Sequence, residues 1–251
     1  MTTLMNILRI LLLALVCAPI ASAEISLKKE AALYSDYGAL LEKYATDTGV
    51  RYEVWAKSTM DLQKLDAILA SWADLDLEPL SYVQRQAFYI NLYNAGMLQT
   101  VFDYYPIKSI TEILPDFGIF KKKFIKQGDR TLSLDDVEKA ILLKEYPDPR
   151  IHFAVNCASR SCPPLRAEPF ISDKSDAQME AQTRIYLNDA WGVQVKSDMV
   201  HISALFDWYK QDFPGTNPLT YINPYRKGTD LDESADIKFL EYNWALNTPL
   251  K

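Results

Sequence analysis

The run from Ser81 to Tyr105 constrains the fold more than any other part of the chain. Ser81 with Gln84 forms a capping box that starts a helix, and Pro106 ends it. Between them Ala87, Phe88, Ile90, Leu92, Tyr93, Ala95, Leu98, Val101 and Phe102 point in nearly every direction around the axis. A helix apolar on all sides has to be surrounded. With 49% apolar residues and 15 tyrosines, the rest of the chain can wrap it in one core without needing a metal or a disulfide. Two carboxamides, Asn91 and Asn94, lie one turn apart inside this helix. A buried amide left unbonded costs about 1–3 kcal/mol. Both are therefore expected to hold a neighbouring loop or to position groups of a site.

Around this helix the periodicity predicts the following order. Leu33, Tyr37, Leu40, Leu41 and Tyr44 recur at helical spacing over residues 28–46, residues 50–56 read as extended, and Ser58 caps a second helix with a stripe from Leu62 to Trp72. Ser109 and Glu112 cap a short helix. Residues 120–126 and 130–132 read as a hairpin across Gln127-Gly128-Asp129, and a helix follows over 134–144. Further on come a strand over 151–156, a helix over 173–190, a hairpin 193–196/199–202 across Ser197-Asp198, and a short aromatic-rich helix over 203–213. The end, 237–247, reads as a docked extended segment. Helices dominate the first half and strands are interspersed later, which predicts an α+β fold. Its expected form is one compact domain with the buried helix packed on a small, mostly antiparallel sheet and further helices around it. The chain divides into a leader over 1–23, a helical region over 24–80 and a core over 81–251.

The leader is a prediction about address. Arg9, an apolar run from Ile10 to Ala18, Pro19 and then Ala21-Ser22-Ala23 have the layout of a secretory signal peptide cut after Ala23. The run is short for a bilayer span, so no stable membrane anchor is expected after cleavage. Val16 before Cys17 weighs against lipidation. The expected location is periplasmic or secreted. A formal charge of −6, more negative still once Arg9 is removed, argues against nucleic acid as a partner. The basic cluster Lys121, Lys122, Lys123 and Lys126 reads as a solvated edge.

The chemistry-bearing residues gather in residues 147–166. Ile151, Phe153 and Val155 alternate with His152, Ala154 and Asn156, so a strand would put His152 and Asn156 on one face. Cys157 and Cys162 then bound a short loop that Pro163-Pro164 keeps from becoming helical. One expectation is a Cys157–Cys162 disulfide in an exported binding or scaffold module, its pocket lined by Asn91, Asn94 and His152 and its ligand a small molecule or peptide. Another is a thiol-dependent hydrolase or acyl transferase. There Cys157 is the nucleophile, His152 its base, Asn94, Asn91 or Glu138 the group orienting the base, and loop amides over 159–162 the oxyanion donors. A buried helix beside a His-bearing strand is similar to the papain and transglutaminase architecture, although the cysteine falls after the strand. A dithiol redox site is a third expectation. Zinc on Cys157, Cys162, His152 and His201 is the poorest fit, because C-x4-C is looser than usual. No cofactor is expected.

The stretches QAFYINLYNAG (86–96), LSLDDVEKAIL (132–142) and DPRIHFAVNCASRSCPPLR (148–166) resemble the domain-of-unknown-function 547 family, here as a bacterial exported member. FDWYKQDF (206–213) and YNWALN (242–247) are similar to C-terminal segments of its bacterial members. The matching positions are Asn91, Asn94, Glu138, Arg150, His152, Asn156, Cys157, Ser161 and Cys162. The resemblance implies a site there, with Arg150, Asn156, Ser161 and Cys162 in binding roles. Relatives often read Ile-Glu-His where this chain has Val137-Glu138-Lys139, so a histidine available to them is missing. The family brings no settled activity.

Overall fold

A computed structural model describes residues 25–196 and 199–249. The predicted leader, Cys17 and the turn Ser197-Asp198 lie outside the described residues. The fold is α+β. Helix α1 (Leu27–Tyr44) starts at Ser26, whose side chain accepts the Lys29 amide, and it buries Tyr34, Tyr37, Leu40, Leu41 and Tyr44. Two-residue strands β1 (Ala45–Thr46) and β2 (Gly49–Val50) pair antiparallel, and α2 (Tyr52–Ala56) and α3 (Thr59–Ala73) follow. The extended segment expected over 50–56 is therefore corrected to a helical turn from Tyr52. Tyr52 and Trp55 are both fully buried. Three residues apart, they share a helix face but would point to opposite sides of a strand.

The long helix α4 (Tyr82–Tyr104) has the capping box read from its sequence and is buried along most of its length. Hairpin β3 (Ile125–Gln127) and β4 (Arg130–Leu132) approaches it at Gly96, where a Cβ would lie 2.9 Å from Ile125 Cδ1. Before the hairpin, α5 (Gly118–Lys121) replaces the first half of the strand expected over 120–126, because Ile119 and Phe120 turn together into the core. The helix expected over 134–144 is present with a different winding. Ser133 and Asp136 cap each other reciprocally, residues Asp136–Leu142 are wound as a π-helix, and α6 (Leu143–Glu145) completes the segment. Such π turns accommodate an extra residue per turn and often present a side chain to a site.

The expected strand over 151–156 is instead a helical turn, α7 (Ile151–Ala154). Ile151, His152, Phe153 and Ala154 are all buried, so the alternation in the sequence does not separate a wet face from a dry one. Asp148 sets the turn by accepting the Arg150 amide at 2.9 Å. His152 and Asn156 consequently share no strand face. After α8 (Ser175–Leu187), strands β5 (Val193–Lys196) and β6 (Met199–Ile202) pair antiparallel. Short helices α9 (Leu205–Trp208) and α10 (Pro218–Ile222) lead to β7 (Asp236–Phe239), which joins β6 in parallel, and Ala245 and Leu246 bridge to Ser109 and Ser159. The strands thus form separate small sheets of order β1-β2, β3-β4 and β5-β6-β7. One apolar cluster around α4 runs from Tyr34 to Leu246. A smaller one, with Phe153, Tyr186, Phe206 and Phe213, lies beside the three-stranded sheet.

The two carboxamides of α4 tie this core to its loops. Asn91 donates to the Phe170 carbonyl at 2.7 Å and accepts the Phe170 amide at 2.9 Å. Asn94 donates to the Ala154 carbonyl at 3.0 Å and accepts the Asn156 amide at 2.8 Å. Each substitution to alanine would orphan a buried amide and a buried carbonyl. Urea unfolding should show Asn94→Ala and Asn91→Ala each losing about 2–4 kcal/mol. Losses under about 0.5 kcal/mol would mean that water replaces these bonds at no cost.

Candidate functional site

The loop after α7 is clamped at both ends by carboxamides. Asn94 holds Ala154 and Asn156 on either side of the turn. Asn156 spans the loop, donating Nδ2 to the Pro163 carbonyl at 2.7 Å and accepting the Ala158 amide at 3.0 Å. Ala158 pays for the sharp bend with a left-handed φ of 61°. On the far side Ser161 Oγ accepts the Asn243 amide at 2.8 Å, and the Ser161 carbonyl accepts the Tyr186 hydroxyl at 2.7 Å. The C-terminal segment is thereby docked against the loop, and it brings Tyr242 to the thiols.

Cys157 and Cys162 are free, and no disulfide joins them as the sequence reading expects. Their sulfurs have different partners. The Cys162 sulfur is buried beneath the loop, accepting the Cys157 amide at 2.9 Å and lying 3.8 Å from the Val155 carbonyl. Cys157 Sγ is half-buried, 3.1 Å from Ser159 Oγ and 3.2 Å from the Tyr242 hydroxyl. Ser159 in turn donates to the Tyr242 oxygen at 3.1 Å, so Tyr242 can give its proton to sulfur while being polarised from behind. Burial pushes the Cys157 thiol up. The hydrogen bonds with Cys162, Ser159 and Tyr242 outweigh it and bring the pKa down to about 7. Burial, then the neighbouring Cys157, push Cys162 well up, so it stays a thiol. Burial likewise keeps Tyr242 protonated and able to donate.

Cys157 opens on a cavity of about 910 Å³ whose wall also carries His152, Asp212, Glu138, Tyr209, Trp208, Tyr242 and Trp244. His152 Nε2 is 2.9 Å from Asp212 Oδ2, and its ring packs 4.2 Å from that of Tyr209 and 5.4 Å from that of Phe213. Burial lowers the His152 pKa against the opposing pull of Asp212, which favours the neutral ring near pH 7. With its proton on Nε2 toward the carboxylate, Nδ1 is left as the basic nitrogen. Glu138 comes from the π-wound turn and accepts the Tyr209 hydroxyl at 2.8 Å. Burial raises its pKa despite that bond.

Of the residues singled out in the sequence, His152, Glu138, Cys157 and Cys162 come together on this cavity. Asn91, Asn94, Asn156 and Ser161 hold backbone around it. Arg150 is turned away into ion pairs with Asp148 and Asp176. The loop amides expected to receive an oxyanion are largely spent: those of Arg160, Ser161 and Cys162 donate to the carbonyls of Ala245, Asn243 and Ser159. The likeness to a papain or transglutaminase arrangement loses its His-bearing strand, since His152 sits on α7. Among the described residues no group of three or more His, Cys, Asp or Glu could hold a metal ion. Sequence reasoning missed the Ser159 hydroxyl, Tyr209, Asp212 and Tyr242 as parts of the site. Three of the four lie in the segments 206–213 and 242–247, and membership of those segments was the available signal.

Residues 77–187 match the family model described as a protein of unknown function, DUF547, and this part of the chain belongs to that family. The match covers Glu138, His152, Ser159 and both thiols. Tyr209, Asp212 and Tyr242 lie beyond it. No curated protein and no solved structure matches the chain.

Alkylation of the native protein by iodoacetamide should follow a single titration with a midpoint near pH 7. Tyr242→Phe removes a donor to the thiolate, so the midpoint should rise and the rate at neutral pH fall several-fold. An unchanged profile in Tyr242→Phe would show that the hydroxyl does not set the thiol.

Proposed function

Taking residues 77–187 as a DUF547-family domain, we propose that the protein is an exported, thiol-dependent acyl-transfer enzyme, a hydrolase or acyl transferase, with Cys157 as nucleophile. The observation that carries this is the free Cys157 sulfur, bonded to Tyr242 and Ser159 on the wall of a large cavity that it shares with the His152–Asp212 pair. The signal-like leader supports export. The thiolate forms without His152 taking its proton, because the Tyr242 hydroxyl and the Ser159 backbone amide stabilise it. Its attack on a carbonyl carbon would give a thioester and a departing amine or alcohol. His152, with Nε2 toward Asp212 and Nδ1 unprotonated, is suited to act as the base that takes the proton of the water or second nucleophile releasing the acyl group, while the departing amine or alcohol draws its proton from solvent. Tyr242 is the fixed hydroxyl donor beside the sulfur for charge on the carbonyl oxygen, and Glu138, whose pKa burial raises, lies on the same cavity wall.

A dithiol exchange role is the second reading, favoured by one observation: the Cys162 sulfur touches the Cys157 amide. The two readings differ at Cys162. With p-nitrophenyl acetate as probe, intact mass should reveal an acetyl adduct on the wild type and on Cys162→Ser, and none on Cys157→Ala. Asp212→Asn should slow release of the acetyl group about 10- to 100-fold while the adduct still forms. Loss of the adduct in Cys162→Ser, or its persistence in Cys157→Ala, would contradict the acyl-transfer reading.

A further inference from the structure

The aromatic wall of the thiol cavity has a second side. Tyr242 and Trp244, whose ring centroids are 4.5 Å apart, also line a groove of about 720 Å³ over the three-stranded sheet. Strand register places Gln194, His201 and Lys238 in one row across β5, β6 and β7, and all three line this groove with Trp191. We propose that the groove is a binding subsite for a saccharide chain carrying carboxylate groups, running over the aromatic wall toward Cys157.

The composition of the wall selects that ligand class. A sugar ring offers an apolar C–H face that stacks on Trp or Tyr, and hydroxyls that need amide or charged partners beside the ring. Here the rings and the polar row lie in one groove. The Gln194 amide is fixed by its bond to the Ala190 carbonyl at 2.8 Å, which leaves its oxygen to accept from a ligand. Among the described residues that line the groove, Lys196 and Lys238 outnumber the one acid, Glu241, so an anionic chain is favoured over a neutral one. An extended peptide fits poorly. It would pair at the outer edge of β5 or β7, off the row that Gln194, His201 and Lys238 form across the face, because β6 is paired on both sides. A purely apolar tail would strip water from the row of Gln194, His201 and Lys238 without replacing its hydrogen bonds.

Only the direction of the chain rests on the acyl-transfer reading; binding in the groove is measured apart from it. The probe is a tetramer of galacturonic acid titrated into the full mature protein by calorimetry, with an N-acetylglucosamine tetramer as the neutral comparison. Saturable binding of the uronate tetramer is expected, weakened about tenfold by Trp191→Ala and by the exposed substitution Lys238→Gln, and unchanged by Cys157→Ser. No saturable binding, or affinity indifferent to both groove variants, would overturn the proposal. Equal affinity for the neutral tetramer would overturn its carboxylate part. Absent binding with normal Cys157 alkylation removes the groove alone. Normal binding with an unreactive Cys157 removes the thiol chemistry and leaves the groove.

Discussion

One carboxamide inside a dry helix governs the geometry of the site. Asn94 bonds the last carbonyl of α7 and the amide of Asn156 together, so the chain has to leave α7 at one angle. Everything chemical follows from that angle. Asn156 can then reach Pro163 to close the loop, and Cys157 comes out toward the cavity while the Cys162 sulfur turns back to the Cys157 amide. A buried amide is costly unless fully bonded, which makes this arrangement all-or-none and not adjustable. A helix wrapped on all sides gives that amide a rigid mount.

The second dependence runs through the C-terminal segment. Tyr242, which bonds the Cys157 sulfur, is 85 residues away in sequence. It is held in place because Asn243, Ala245 and Leu246 pair with the thiol loop and with Ser109. The nucleophile is therefore finished only when the end of the chain docks. Its acidity owes little to the histidine. Burial alone would raise the thiol, and neutral donors reverse that. His152 is left free for proton transfer in later steps, with Asp212 fixing its tautomer.

The parts of the fold legible in the sequence were those where local signals and burial agree. The Ser81–Gln84 box, the all-round apolar helix, the 125–132 and 193–202 hairpins and the docked C-terminus are of this kind. Residues 151–156 were not legible as a helical turn, because a period-2 pattern marks a strand only where one face meets water, and here every residue of α7 is buried. The same applies to 52–56, where Tyr52 and Trp55 both enter the core. Within the site, His152, Cys157, Cys162 and Glu138 could be named from chemistry and spacing. Asp212 and Tyr242 were marked only by their place in the segments 206–213 and 242–247, since an aspartate and a tyrosine show no particular chemistry until long-range packing brings them to a thiol and an imidazole. The predicted disulfide followed from the short spacing and the expected export; the directions of the two sulfurs depend on the Cys157 amide and Tyr242.

A Cys157 nucleophile requires both thiols to be free in the native protein. The decisive measurement is peptide mapping after brief labelling of protein purified without reductant from its natural compartment. The structure predicts one adduct, on Cys157, with Cys162 labelled only after unfolding. An unlabelled protein two hydrogens lighter, with Cys157 and Cys162 recovered as one linked peptide, would mean a closed disulfide and would contradict a Cys157 nucleophile.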